Sequence, residues 1–141
     1  MDQNLSKACS LLEAGNYTCV LCRGALVHSS CLRGVAPLLQ LLDDGVDVVG
    51  FSAADKVVGK ATAYLYCLLG VKAVYAQVVS RGALEVLTRS GIQLQYGSLV
   101  DQIQNRTQTG ACPMEMATKD AQTPEEALLA IRQTLKRLQT K

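Results

Sequence analysis

VDVVGFSAADKVVGKATAYLYCLLGVKAVYAQVVSRGALEVLTRSGIQLQY, residues Val46 to Tyr96, reads as strand, helix, strand, helix, strand. Val46 to Ala53 is an apolar, valine-rich run of strand length. Asp55 stands where a side-chain cap opens a helix, which Val57, Val58, Ala61, Leu65 and Leu68 carry to a stop at Gly70. Ala61 to Leu69 is apolar almost all round, so this helix is expected to be covered on more than one side, under a sheet or at a subunit interface. Val71 to Val79 is the next strand, Gly82 to Ser90 the next helix with Gly91 behind it, and Ile92 to Tyr96 a shorter strand. Strands alternating with helices predict a largely parallel sheet with helices on both faces.

Upstream, Leu5, Ala8, Cys9 and Leu12 recur at helical spacing before Gly15. Tyr17 to Cys22 and Ala25 to Ser30 are β-prone runs joined by Arg23-Gly24, an antiparallel hairpin. Pro37 opens a helix that Leu38, Leu39, Leu41 and Leu42 continue to Asp43-Asp44-Gly45. Downstream, Ser98 to Gln104 is read as a further short helix and Asn105 to Ala111 as a polar loop. Thr123-Pro124-Glu125-Glu126 is a strong helix start, after which Ala127, Leu128, Ile131, Leu135 and Leu138 form one apolar stripe. No internal repeat or linker divides the chain, so one domain over residues 1–141 is expected.

The composition agrees. A chain of 141 residues with 49% apolar residues is long enough to bury a sizeable core. No apolar run approaches the ~20 residues that span a bilayer, and Met1-Asp2-Gln3-Asn4 lacks a signal peptide's basic start. A cytoplasmic protein without a membrane partner is expected. Basic residues number 14 against 12 acidic ones, for a net charge of +2; they are scattered, aromatics are 4% and tryptophan is absent. That distribution does not make the basic, aromatic-studded face of a nucleic-acid binder. Of the six cysteines, Cys19 and Cys22 have the spacing of a redox or metal pair, but on a strand residues three apart point to opposite faces. Without a second such pair, zinc-ribbon chemistry is not expected.

Three segments carry chemistry worth testing. Ser29-Ser30-Cys31-Leu32-Arg33-Gly34 precedes the Pro37 helix, and Ala53-Ala54-Asp55-Lys56-Val57-Val58-Gly59-Lys60 sits at a strand-to-helix junction, where ligands of open α/β sheets bind. Gly59-Lys60 resembles the end of a phosphate-cradling loop, yet two of its four defining positions are replaced, by Ala54 and Ala61. In Thr109-Gly110-Ala111-Cys112-Pro113-Met114-Glu115, Pro113 suits a first helical turn, which leaves Cys112 at the cap, where amides stabilise a thiolate. Cys112 is thus a candidate nucleophile and Glu115 its acid or base, with Arg33, Lys56 or Lys60 as the cationic neighbourhood. His28, the only histidine, lies on a strand among apolar neighbours and is read as structural; no G-x-S-x-G nucleophile elbow is present.

Arg33-Gly34-Val35-x-Pro37-Leu38-Leu39, Ala54-Asp55-Lys56-Val57-Val58-Gly59-Lys60-Ala61 and Thr109-Gly110-x-Cys112-Pro113-Met114-Glu115 together resemble the hallmark stretches of a small bacterial family classed as a domain of unknown function, DUF1893. The resemblance runs from the first helix to about Asp120. That family is similar in fold to the cytidine deaminases, which implies a three-layer α/β/α sandwich with a five-stranded mixed sheet. Zinc deaminases carry H-x-E or C-x-E at the helix after the hairpin and P-C-x-x-C at the next helix. By order of elements the first falls on Cys31-Leu32-Arg33 and the second on Ala54-Asp55-Lys56-Val57-Val58. One thiol survives, a cation replaces the proton-carrying glutamate, and neither cysteine of the second motif is present.

The resemblance therefore implies a zinc-free, deaminase-like domain with no cofactor and no metal site. Its expected pocket takes a small anionic or nucleotide-like ligand, with Arg33, Gly34, Gly59, Lys60 and Gly110 as binding residues, Asp55, Lys56, Cys112 and Glu115 as candidate catalytic residues, and the Cys112 loop closing over it. Two other readings remain: an enzyme with Cys112 as nucleophile, and a non-catalytic scaffold that forms homo-oligomers through the Ala61 to Leu69 helix.

Overall fold

The computed structural model describes residues 2–103 and 112–139. Helix α1 (Gln3–Ala14) leads into strands β1 (Cys19–Arg23) and β2 (Leu26–Ser30), then α2 (Ala36–Asp43), β3 (Ser52–Val58), α3 (Lys60–Leu69), β4 (Ala73–Ser80), α4 (Arg81–Arg89), β5 (Gln93–Val100), α5 (Pro113–Thr118) and α6 (Pro124–Gln139). The strands form one five-stranded sheet in the order β2-β1-β3-β4-β5. β1 runs antiparallel to β2 and β3, and β3, β4 and β5 are mutually parallel, so the sheet is mixed as expected.

Strand alternation divides the core. Ala8 and Leu12 of α1 close over Val20, Cys22 and Ala54 on one face. Leu21, Ala53, Val74 and Ala76 point the other way and are covered by α2, α3 and α4, with α6 outside against α3. Cys19 and Cys22 accordingly enter opposite cores, as the strand spacing predicts. α3 is buried almost throughout, Ala61, Ala63, Tyr64, Leu65, Tyr66 and Leu69 included, by helices of its own chain. Its apolar surface is spent within the fold, so it does not provide the exposed face on which the scaffold reading relied. Among the described residues, no helix is long and apolar enough to cross a membrane.

Several boundaries differ from the sequence reading. The hairpin turn is Gly24-Ala25, because Arg23 and Leu26 still pair. The third strand is not Val46 to Ala53 but Ser52–Val58, and α3 starts at Lys60 behind Gly59 rather than at Asp55. Asp55 is therefore a strand residue, not a helix cap. Local pattern hides this: Asp55 bonds Tyr66 of α3 and Val58, three residues on, belongs to the same core, while the β3–β4 pairing leaves out Lys56 and Gln77 without changing register. The strict alternation that marks a strand is broken there. Ser98 to Val100 likewise extend β5, held by their register on Val78, Val79 and Ser80, instead of starting a helix; Gln104 lies outside the described residues. The last helix starts as predicted: Thr123 Oγ1 accepts from the Glu126 amide at 3.1 Å.

Candidate functional site

The sequence-predicted residues fall into three places. The first is a groove of about 660 Å³ at the start of α2, walled by Arg33, Val35 and Leu39, by Pro113 and Met114 of α5, and by Leu135 and Leu138 of α6. Gly34 adopts φ +62, a left-handed turn suited to glycine, and so swings the chain from the end of β2 into α2. Asp43 on the same groove is bound by Arg132 at 2.8 Å, which ties α2 to α6. Arg33 is exposed and forms no ion pair among the described residues. Among the described residues it is the cation on this groove, whose walls are mainly aliphatic and also carry the Asp44 carboxylate.

The second place is the start of α3. The Glu115 carboxylate accepts the Lys60 backbone N–H at 2.6 Å, doing from α5 what an N-cap side chain does locally. Gly59 is required by this arrangement, because a Cβ there would overlap Glu115 Oε1. Burial raises the Glu115 carboxyl above its usual range, although the Lys60 and Ile103 amides oppose the shift. The Lys60 ammonium turns away to the Lys119 carbonyl at 2.7 Å and lies over the Tyr64 ring. Tyr64 in turn donates to the Ala121 carbonyl at 2.7 Å. Cys112 caps α5, with its amide bonded to the Ile103 carbonyl at 2.9 Å, and is half-buried. Glu115 is thus engaged by backbone amides and Lys60 by a carbonyl. Gly110 lies outside the described residues.

The third place is inside the core. Asp55 accepts the Tyr66 hydroxyl at 2.7 Å through Oδ2 and the Val57 amide at 3.3 Å through Oδ1. Tyr66 OH also lies 3.3 Å from Cys19 Sγ. Burial raises the Asp55 carboxyl to about 7. Asp55 lines neither the α2 groove nor the cleft beside the hairpin, so the structure does not bring it to Arg33. Lys56, its neighbour on β3, is only partly exposed, and its backbone N–H bonds the Thr18 carbonyl. His28 lines that hairpin cleft and tilts against the Phe51 ring at 5.8 Å. Among the described residues no three His, Cys, Asp or Glu side chains gather as metal ligands.

Sequence reasoning missed Tyr64 and Tyr66. Their signal was available: a tyrosine inside an apolar helix needs a partner for its hydroxyl, and Asp55 is a lone carboxylate in an apolar strand.

Fold and groove define an α/β protein with a five-stranded mixed sheet and a ligand-sized recess at the turn into α2. Residues 7–135 match the family model described as TM1506, domain of unknown function (DUF1893), and the chain belongs to that family. Among solved structures, it is similar to a DUF1893 family protein (TM1506) from Thermotoga maritima, with 22% identity, a TM-score of 0.86, and 94% of this chain and 91% of that one covered. No curated protein matches the chain.

Proposed function

We propose that this chain is a zinc-free, cytidine-deaminase-like domain of three α/β/α layers that binds a small organic anion in the groove at the start of α2. The observation that carries the reading is Arg33, an exposed guanidinium without an ion-pair partner among the described residues, at the rim of a recess of about 660 Å³. A guanidinium binds carboxylate or phosphate oxygens in pairs. Val35, Leu39, Met114, Leu135 and Leu138 give the recess an apolar body, the usual make-up of a small-molecule site. The ligand this favours has one acidic group and an aliphatic or aromatic remainder. No reaction is assigned to it, because Glu115 and Lys60 are engaged in holding α3 to α5.

Thermal melting in the presence of octanoate, benzoate, phenyl phosphate and adenosine monophosphate tests the reading. At least one should raise the melting temperature in low salt, and Arg33→Glu should abolish the rise. Absence of a shift across such a panel, or an equal shift in the variant, overturns it.

A further inference from the structure

Beside the hairpin lies a second recess, about 420 Å³, between the inner face of β1–β2 and α2. Its walls include His28, Ser30, Gln40 and Asp44, and Cys19, 2% exposed, lies at its base. Behind that base the hydrogen-bonded chain Cys19, Tyr66, Asp55 runs into the core, with steps of 3.3 Å and 2.7 Å. Tyr66 and Cys19 have one proton each, and the Cys19 thiol also meets the Asp55 carboxylate directly, so the group at the inner end biases the direction in which these protons point.

We propose that this chain is a proton-dependent switch which reverses the hydrogen-bonding character of the cleft floor. With Asp55 ionised, its Oδ2 accepts from the Tyr66 hydroxyl, and the Tyr66 oxygen accepts from the Cys19 thiol. The thiol proton then points inward and the sulfur faces the cleft as an acceptor. When Asp55 gains a proton, Oδ2 is where it settles, because Oδ1 already faces the Val57 N–H. The carboxyl then donates to the Tyr66 oxygen, Tyr66 donates to the Cys19 sulfur, and the thiol hydrogen is released toward the cleft.

The surroundings allow this reversal near neutral pH. Among the described residues, Tyr66 from α3 and Cys19 from β1 are the titratable groups that meet Asp55. Its β4 partner is Ala76, and α1, with Lys7 and Glu13, packs on the other face of the sheet. No lysine, arginine or histidine pairs with it among the described residues. Burial alone therefore holds the carboxyl up, to about 7, while the thiol and the phenol are both raised and stay protonated.

The S–H stretching band of the full chain, followed by Raman spectroscopy between acid and mildly alkaline pH and assigned to Cys19 by difference from Cys19→Ala, tests the proposal. The Cys19 band is expected at lower frequency at alkaline pH, where the thiol donates, and at higher frequency in acid, with a midpoint near neutrality. Asp55→Asn should remove the transition, and Tyr66→Phe, which takes away the relay but keeps the direct contact of Cys19 with Asp55, should reduce its amplitude. A native Cys19 band that does not move with pH overturns the proposal. A band that still titrates in Asp55→Asn, or that titrates with undiminished amplitude in Tyr66→Phe, overturns it as well.

Discussion

The Glu115 carboxylate accepts the backbone N–H of Lys60 at 2.6 Å, so a residue of α5 closes the first turn of α3, fifty-five positions earlier in the chain. Gly59 makes room for it. Loss of an N-cap costs about 0.5–2 kcal/mol, and Glu115→Ala should lower unfolding stability by about that amount. Gly59→Ala should also destabilise, by displacing the carboxylate. Because both act on one contact, the Gly59→Ala penalty should shrink by about 1 kcal/mol in the Glu115→Ala background. Additive penalties in denaturant titrations would show that the two residues do not share this contact.

Asp55 gives the protein a pH dependence of defined sign. Its carboxyl is raised by burial from 3.8 to about 7 in the folded state. Between those values the folded chain holds a proton that the unfolded chain has released, so this contribution to stability is complete below 3.8 and is lost as pH rises to about 7. Asp55→Asn keeps the acceptor for Tyr66 without the buried charge. Relative to the native chain it should gain stability as pH rises from about 4 to 7, by at most about 4 kcal/mol. Melting curves of both chains across that range check the sign; a constant difference would show that Asp55 does not titrate there.

Leu65, with no exposed surface, sits in the middle of α3 under helices of the same chain. Leu65→Ala should cost about 2–5 kcal/mol, as buried leucine truncations do. A loss below about 1 kcal/mol in chemical denaturation would mean that this helix face is not packed as described.

Thiol reactivity separates the ligand reading from the nucleophile reading. Cys31 is exposed, Cys112 half-buried, and Cys19 and Cys22 fully buried, with burial raising the last two thiols. Alkylation at neutral pH, followed by mass spectrometry, should therefore label Cys31 first and Cys19 and Cys22 last. Labelling of Cys112 ahead of Cys31 would favour the nucleophile reading.

The parallel half of the sheet was legible from Val46 onward because valine-rich runs alternate with amphipathic ones and Gly70 marks a helix end. The hairpin, the α2 start at Pro37 and the Thr123 cap were legible for equally local reasons. The β3–α3 boundary was not. Asp55 looks like a cap to any local rule, and only Tyr66, eleven residues on, shows why it belongs in a strand. The contact of Glu115 with Lys60 is of the same kind, since no spacing rule joins α5 to the first turn of α3. As for the predicted pocket, Arg33 and Gly34 lie on the α2 groove, while Gly59, Lys60 and Glu115 hold one another and Asp55 is inside the core.

The most direct test of the groove is an NMR titration of the isotope-labelled chain with phenyl phosphate in low salt. Saturable shifts are expected at Gly34, Val35, Met114 and Leu135, lost in Arg33→Glu, with β5 unaffected. Saturable shifts that map elsewhere, or that survive charge reversal at Arg33, would contradict the ligand reading.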